Sequence, residues 1–390
     1  MYPAATDPLT GARVRFAAAH PTCRRPPVDP MLHVFIGTKA QYVKTAPLLR
    51  LMDARGVPYR LIDSGQHAAL SAELRDELQV RAPDVTLGGS TDITTIPAAV
   101  AWSARIATRL VDGGKVRREL FGNNGRGICV VHGDTPSTLL ATLLTRRAGL
   151  EVAHLEAGLR SKRLLHPFPE EIVRRVVMRA SSLLFAPDDQ AVRNLARRGL
   201  AERTVRTSHN TVVDALRFSL GDTEVAPMGP CIVTMHRVEN LHRRERVLGF
   251  VETVERLAAR HPVTFVTHGP TERTVAPHRD RLEAAGVRLE PLAPHARFTR
   301  MLAAAPAVVT DGGSIQEECA LLGVPTLLWR AETERPDGAG ANVVLGRYEP
   351  ARIEAFLADP ERLRRPPVHA TAEPSAEILD VLLDRLARLR

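Results

Sequence analysis

The chain is poor in cysteine, in aromatic residues and in long apolar runs, and each shortage excludes a class of protein. Its four cysteines, Cys23, Cys129, Cys231 and Cys319, are far apart and form no CxxC or Cys/His spacing. The sequence therefore predicts neither a disulfide framework nor a metal site. Aromatic residues make up 4% of the chain, which leaves few platforms for stacking nucleobases. No apolar run reaches the roughly 18 residues that cross a bilayer, so we expect a cytoplasmic protein without a membrane partner.

The motifs of several common enzyme classes are also missing. The chain has no GxxxxGK[ST], no GxGxxG after its first predicted strand, no GxSxG and no HExxH. ATP-dependent and nicotinamide-dependent chemistry thus lack their usual phosphate loops. The net charge of +9 is spread along the chain rather than gathered in blocks. Such a charge suits a small anionic substrate, and we expect no nucleic-acid partner.

Lysine is almost absent, with four lysines among 53 basic residues. Two of the four, Lys39 and Lys44, lie in one short loop, GTKAQYVK. Arginine stands almost everywhere that charge alone is needed, so this loop is predicted to require the compact ammonium group. Chance clustering of two solvated lysines is the alternative.

Short apolar strands alternate with amphipathic helices from Leu32 onward, which predicts a doubly wound α/β fold. The alternation is interrupted by the glycine- and proline-bearing stretch GDTEVAPMGP and then restarts. We expect two Rossmann-like domains, residues 31–212 and 213–371, with a ligand cleft between them. Residues 1–30 are predicted to be a disordered extension, with Met31 as a candidate start. Residues 372–390 are predicted to form a helix that packs back on the first domain.

Acidic residues follow two predicted strands of the first half. Asp134 comes after ICVVHG, Glu156 comes after EVAHL, and Glu170 stands in HPFPEE. Loops after strand carboxyl ends open into the ligand crevice of a parallel sheet, so these carboxylates predict proton transfer. We expect their mutual repulsion to raise at least one pKa. His154, two residues before Glu156, is predicted to be a hydrogen-bonded structural histidine.

The second half contains a strand–turn–helix element, AVVTDGGSIQEE. Gly312 and Gly313 would let the backbone approach a phosphate at a helix N-terminus, although a plain tight turn is the alternative. Glu318 lies one helical turn after Ser314, at a distance suited to ribose hydroxyls. His236 follows the strand CIVT and is predicted to be an acid or a phosphate donor, with a structural histidine as the alternative.

Together these motifs resemble the non-hydrolysing UDP-N-acetylglucosamine 2-epimerase family, which has the two-domain glycosyltransferase-B architecture. The likeness covers about residues 31–390 in order. It rests on GTKAQYVKTAPLL, HGDT, HLEAGLR, PFPEE, HNTVVDAL, MHRVEN, GGSIQEE and TERPDGAGANVVLG. The resemblance implies anti elimination of UDP across C1–C2 to give bound 2-acetamidoglucal. UDP then adds back after C2 is protonated on the opposite face.

The resemblance also implies roles for particular residues. Three acid/base carboxylates and a histidine that assists UDP departure are implied at Asp134, Glu156, Glu170 and His236. Substrate-binding roles are implied at Lys39, Lys44, Arg160, Phe298, Gly312, Gly313, Ser314, Glu318 and Arg335. Within that set, Phe298 would pack on uracil and Glu318 would bind the ribose. The implied ligand is a UDP-sugar, the implied assembly is a homodimer, and no metal or other cofactor is implied.

The chain departs from the family at four places. The family's GTRPE loop reads GTKAQ here, and its SGG turn reads Gly312–Gly313–Ser314. In the bacterial enzymes, QHRxM and RQT help to form a second, activating site, whereas this chain has QHAA from Gln66 and GGSTD. We therefore expect activation by substrate at a second site to be weak or absent.

Three other functions stay open at this level. One is an enzyme that cleaves the nucleotide sugar without returning UDP, because the altered loops weaken diphosphate retention. The others are a glycosyltransferase on the same fold and a non-catalytic nucleotide-sugar binding protein. The exact sugar stays open too, as does the choice between a polysaccharide pathway and a specialised-metabolite pathway.

Overall fold

The computed structural model describes residues 29–66, 68–88, 96–122, 126–160, 170–221, 225–368 and 372–390. Almost all of the predicted N-terminal extension, residues 1–30, lies outside these ranges. His67 and most of GGSTD, where the chain departs from the family's second site, lie outside them too. Among the described residues, no helix is long and apolar enough to cross a membrane.

Two parallel sheets form the framework. The first contains strands β1 Met31–Ile36, β2 Tyr59–Asp63, β3 Val85–Thr86, β4 Gly127–His132, β5 Glu151–Leu155, β6 Leu183–Ala186 and β7 Thr204–Arg206. The second contains β8 Cys231–Val233, β9 Val263–Thr267, β10 Val287–Pro291, β11 Val308–Thr310, β12 Thr326–Leu328 and β13 Val343–Leu345. Their orders are β3-β2-β1-β4-β5-β6-β7 and β10-β9-β8-β11-β12-β13. The predicted α/β class with two Rossmann-like sheets is confirmed.

Helices connect successive strands in both halves. The first half has α1 Lys39–Ala54, α2 Ala68–Leu78, α3 Ile96–Ala107, α4 Gly113–Phe121, α5 Pro136–Arg147, α6 Glu170–Ala180, α7 Asp189–Ala196 and α8 Val212–Leu220. The second half has α9 Val238–Leu241, α10 Arg244–Ala258, α11 Gly269–Val275, α12 Arg279–Ala284, α13 His295–Ala304, α14 Gly313–Leu322, α15 Pro350–Ala358 and α16 Pro374–Ala387. Short 3₁₀ turns lie at Thr108–Val111, Ala201–Arg203, Ala276–His278 and Glu361–Leu363.

Central strands such as β4 are apolar along their whole length because helices cover both faces of a parallel sheet. Every residue of β4 is buried. Helix α16 joins the core of the first domain, where Ile378, Leu379 and Leu382 are almost fully buried with β1 and α1. Its Arg385 forms a bidentate ion pair with Glu151 of β5, with a shorter contact of 2.7 Å. The C-terminal helix is thus fastened to the first domain by both apolar packing and charge.

The strand orders determine where a ligand can bind. In each sheet the order reverses at one point, between β1 and β4 and between β8 and β11. Ligands of open α/β sheets bind in the crevice outside the strand carboxyl ends at such a switch point. The loops that leave these four strands contain Lys39, Asp134, His236 and Gly312. Both crevices contribute to the cleft between the domains.

Candidate active site

A cavity of about 200 Å³ lies between the two domains. The first domain supplies two carboxylates and an arginine to its wall, and the second supplies a histidine, the glycine turn, a carboxylate and two arginines. Seven of the predicted site residues line it: Asp134, Glu170, His236, Gly312, Gly313, Ser314 and Arg335. Residues from four separate loops and two helix starts therefore meet in one space.

Glu156 lies behind this cavity in a buried cluster of four charges. Lys44 Nζ lies 2.5 Å from Glu156 Oε2 and 2.6 Å from Glu317 Oε2. Arg335 contacts the same two carboxylates, at 2.6 Å and 2.9 Å. Asn210 also donates to Glu156, at 2.6 Å. Because Lys44 and Glu156 belong to the first domain and the other two charges to the second, this cluster joins the domains.

The backbone of Glu156 is itself unusual. Its φ angle is 61°, in the left-handed region that costs a non-glycine residue roughly 1–2 kcal/mol. Such strain persists where the surroundings fix the residue, and it concentrates at functional sites. The two cations and Asn210 provide that fixation here.

The pKa of each carboxylate in the cleft depends on which cations lie beside it, and not only on the number of carboxylates nearby. Burial raises the pKa of Glu156, but Arg335 and Lys44 outweigh burial and hold that pKa well below its usual value. Other carboxylates of the cleft have a raised pKa. Burial and the neighbouring Glu317 raise the pKa of Glu318 to about 7 and that of Asp337 to about 6. At Glu156 the neighbouring cations therefore outweigh burial, and one of them, Arg335, comes from the second domain.

Asp134 is paired with an arginine that sequence reasoning missed. Arg174 of α6 donates to Asp134, and it also lies 3.6 Å from Glu171 and 3.9 Å from Glu334. Glu334 sits among Arg330, Arg237, Arg335 and Arg174; although burial opposes this, they hold its pKa at about 2. Arginines and carboxylates therefore alternate along this wall of the cavity.

Gln41 connects two of the loops that reach the cleft. Its Oε1 accepts from the backbone N–H groups of Gly37 and Thr38, at 2.6 and 3.1 Å. Its Nε2 donates to the carbonyl of His132 at 2.7 Å and contacts the hydroxyls of Thr138 and Thr135. A carboxylate at this position could not donate to the His132 carbonyl. The departure to glutamine thus fits a neutral bridge between the Lys39 loop and the Asp134 loop.

The other predicted residues lie outside the cavity wall. Lys39 is partly buried, which lowers its pKa, while Glu77 and Glu318 oppose that shift. Arg160 contacts Glu171 at 2.5 Å. Phe298 is 7% exposed and belongs to an apolar cluster with Leu302 and Val212. The predicted contact of Phe298 with uracil stays a prediction. His154 Nε2 donates to the Gly133 carbonyl at 2.7 Å, which confirms it as a hydrogen-bonded histidine.

Several residues of the site were not singled out from the sequence. They are Arg174, Asn210, Arg237, Asp311, Glu317 and Glu334. All but Arg174 lie within or next to the motifs HNTVVDAL, MHRVEN, TDGGSIQEE and TERPDG, so motif membership was the available signal. Residues 161–169, which include part of PFPEE, lie outside the described residues.

The fold and site together define a two-domain α/β enzyme of the glycosyltransferase-B type, with carboxylates of one domain facing a glycine turn of the other. A family model described as UDP-N-acetylglucosamine 2-epimerase matches residues 50–367. The chain belongs to the UDP-N-acetylglucosamine 2-epimerase family.

Individual relatives extend this match over most of the chain. The UDP-N-acetylglucosamine 2-epimerase of Methanocaldococcus jannaschii is 27% identical over 348 residues, covering 83% of this chain and 90% of that protein. The Bacillus subtilis enzyme of the same name is 29% identical, covering 84% and 87%. The crystal structure of UDP-GlcNAc 2-epimerase from Neisseria meningitidis bound to UDP-GlcNAc has a TM-score of 0.77 at 25% identity. That match covers 91% of this chain and all of the other.

Proposed function

We propose that this protein interconverts UDP-N-acetylglucosamine and UDP-N-acetylmannosamine by eliminating UDP and adding it back. The observation that carries the proposal is the two-sided cavity. Asp134 and Glu170 of the first domain share it with His236 and the Gly312–Ser314 turn of the second. Family membership supports the same reaction.

Anti elimination needs a base on one face of the sugar and a leaving-group site on the other. The acidic wall supplies groups that can remove or return the C2 proton. The opposite wall offers the N-terminus of α14, whose free N–H groups and partial positive charge favour a departing diphosphate. Arg335 borders the cavity and adds a fixed cation. A sugar bound between the walls would therefore present C2 to carboxylates and its anomeric oxygen to cations.

The charges beside Glu156 bear on its role. Arg335 and Lys44 hold its pKa well below the usual value, so Glu156 is ionised at neutral pH. An ionised carboxylate accepts a proton and does not donate one. We infer that Glu156 serves as a base or as a countercharge to the cations. Asp134 and Glu170, which line the cavity, are the other proposed acid/base groups.

The cleft must open for substrate to enter. Its cavity of about 200 Å³ is below the range of about 300–1,000 Å³ typical of small-molecule pockets. A whole nucleotide sugar therefore needs the domains to separate. Lys44 and Arg335 would then exchange some carboxylate contacts for the diphosphate, which explains why both cations are placed at the domain boundary.

Proton NMR of UDP-N-acetylglucosamine with purified protein in heavy water tests the proposal. We expect the C2 proton signal to disappear while the manno epimer accumulates. Free UDP with a glycal or free sugar would instead identify a cleaving enzyme. Bound substrate with no C2 exchange would reject the epimerase mechanism.

The Asp134→Asn variant tests, in the same experiment, whether exchange needs the Asp134 carboxylate. It keeps the size of the side chain and removes its acid/base capacity. We expect C2 exchange to be lost while UDP affinity, measured by calorimetry, changes little. A parallel loss of binding and exchange would assign Asp134 to binding or folding.

We further propose a homodimer that works in the cytoplasm, with weak or absent activation at the second site. Sedimentation velocity tests whether the protein is a homodimer. If activation is weak or absent, the dependence of rate on UDP-N-acetylglucosamine should be hyperbolic rather than sigmoidal. Gln66 is described in the structure, whereas His67 and GGSTD after its first glycine are not.

A further inference from the structure

A chain of hydrogen bonds runs from a remote turn to His236. Asp311, at the end of β11, is fully buried and lies 3.3 Å from His236 Nδ1. The same carboxylate accepts from the backbone N–H groups of His236 and Arg237, both at 2.9 Å. Asp311 is therefore fixed by its surroundings, and its carboxylate lies within ion-pair distance of His236 Nδ1.

Asn240 holds the far side of Asp311. Its Nδ2 donates to Asp311 at 2.9 Å and to the Trp329 carbonyl at 3.1 Å. Its Oδ1 accepts from the hydroxyl of Tyr348 at 2.9 Å. Both amide hydrogens and the amide oxygen thus have partners, and Asn240 is fully buried. This arrangement permits only one orientation of the amide.

Tyr348 lies in a strained turn. Arg347 and Tyr348 have φ angles of 55° and 61°, so two successive non-glycine residues adopt the left-handed conformation. Such residues persist where neighbouring structure fixes them. The Tyr348 ring packs edge-on against Trp329 at 5.5 Å, and Arg246 lies over it at 4.4 Å. The ring contacts and the constrained backbone together hold the Tyr348 hydroxyl against Asn240.

His236 is constrained from its other side as well. A Cβ atom added to Gly312 would lie 2.6 Å from His236 Cε1. The imidazole therefore rests directly on the glycine turn that faces the cavity. Its position is set by Gly312 below and by Asp311 at Nδ1, which leaves Nε2 for a ligand.

We propose that Tyr348, Asn240 and Asp311 form a positioning relay that fixes the Nδ1–H tautomer and ring orientation of His236. The relay rests on the proposed function in one respect: with Nδ1–H held by Asp311, an imidazolium that also carries a proton on Nε2 would donate it to the departing diphosphate. In a neutral imidazole, the hydrogen bond made by one ring nitrogen decides which of the two nitrogens carries the proton. Tyr348 is not among the residues that line the cavity, so its effect on turnover would pass through the relay.

The Tyr348→Phe variant tests the relay because it removes the hydroxyl and keeps the ring. We expect kcat to fall roughly two- to tenfold, the effect of one net hydrogen bond, with KM nearly unchanged and the pH profile of kcat shifted. In protein labelled with ¹⁵N-histidine, the His236 signal should change from the Nδ1–H tautomer toward a mixture. Among the 14 histidines, that signal is the one missing from the His236→Asn variant.

Tyr59→Phe is the matched control. Tyr59 also lies under an arginine at 4.4 Å and donates its hydroxyl to a side chain, Asp53, at 3.1 Å. It belongs to β2 in the first domain, with no connection to His236 in the described residues. This variant should leave kcat and the His236 tautomer unchanged.

Asn240→Ala, checked by thermal unfolding, cuts the relay at its centre and should change the same readouts more strongly. If Tyr348→Phe and Asn240→Ala both kept the tautomer population and the kcat of the parent, the relay would be overturned and Tyr348 would be a packing residue. The NMR readout needs no substrate, so failure of the relay and failure of the proposed reaction are distinguishable.

Discussion

Arg335 of the second domain donates to Glu156 of the first at 2.6 Å, in a region where both side chains are almost fully shielded from water. The second contact of Arg335 is Glu317 at 2.9 Å, and Lys44 bridges the same two carboxylates. Two cations and two anions therefore form a closed square across the domain boundary. Removing any one of them leaves unbalanced charge in a buried place.

Arg335→Met should destabilise the closed protein strongly. Removing one partner of a buried ion pair typically costs about 3–5 kcal/mol because the remaining charge is uncompensated. Arg335 also borders the cavity, so UDP affinity should fall as well. Urea unfolding monitored by circular dichroism measures the first effect, and calorimetric titration with UDP measures the second.

Arg55→Met is the control for that variant. Arg55 pairs with Asp380 at 2.5 Å, but the two side chains are 39% and 64% exposed. Exposed pairs contribute about 0–1 kcal/mol. Similar losses in the two variants would mean that the buried square contributes no more than a surface pair.

Glu156→Gln separates chemistry from binding. The amide keeps the shape of the side chain, and Lys44 and Arg335 retain Glu317 as a partner. We expect C2 proton exchange to fall by at least about 10²-fold, the lower range of general acid–base contributions. UDP affinity should change far less, because neither cation is removed. Parallel losses of exchange and affinity would place Glu156 in ligand binding alone.

The position of the strand-end residues could be predicted from the sequence, whereas their partners could not. Asp134 and His236 follow apolar runs, and parallel topology brings such positions to a switch point. Glu156 and Arg335 are 179 residues apart, and no local pattern records how two domains close. The sequence displays the neighbouring acids but not the arginine of the other domain, so it could not show that the pKa of Glu156 is lowered.

Lys39 and Lys44 show the same limit. The scarcity of lysine predicted a special need in a loop, but both lysines lie in α1. Lys44 is buried between two carboxylates that a compact ammonium can contact together. The identity of those carboxylates depends on Glu317 in the second domain. Gln41 was recognised only as a departure, because its five hydrogen-bonding partners come from two segments that are distant in sequence, 37–38 and 132–138.

Gln41→Leu should loosen the Asp134 loop. The substitution leaves the Gly37 N–H without its side-chain acceptor, whereas the His132 carbonyl keeps the Thr138 hydroxyl as a donor. A buried polar group left without a partner costs about 1–3 kcal/mol, so urea unfolding should report a loss of at least about 1 kcal/mol. C2 exchange should decrease beyond what the fraction of folded protein explains, since the loop that carries Asp134 is less fixed.

Gln41→Glu and Gln190→Leu sharpen that test. The glutamate variant keeps the acceptor for Gly37 but sets a carboxylate against the His132 carbonyl, so it should be more stable at pH 5 than at pH 8 relative to the parent. Gln190 lies on an exposed face of α7, and its replacement should change stability by less than about 0.5 kcal/mol. Equal effects at positions 41 and 190 would contradict a bridging role for Gln41.

Glu318 makes stability depend on pH in a direction opposite to that of most carboxylates. Burial, and then the neighbouring Glu317, raise its pKa from 4.5 to about 7. Between these pH values the folded protein binds a proton that the unfolded chain has lost. The free energy of unfolding should therefore fall as pH rises from 4.5 to 7. Above pH 7 the penalty is constant, at about 3 kcal/mol for a shift of this size.

Glu318→Gln removes this penalty because the amide does not ionise. Without nucleotide, the variant should match the parent near pH 4.5 and exceed its stability by up to about 3 kcal/mol at pH 8. Urea unfolding at fixed ionic strength measures the difference, and taking the difference cancels the similar contribution of Asp337, whose pKa is also raised. Glu202→Gln, on an exposed 3₁₀ turn, should show no pH-dependent gain. A constant difference between the Glu318 variant and the parent across this range would mean that Glu318 is ionised in the folded protein throughout.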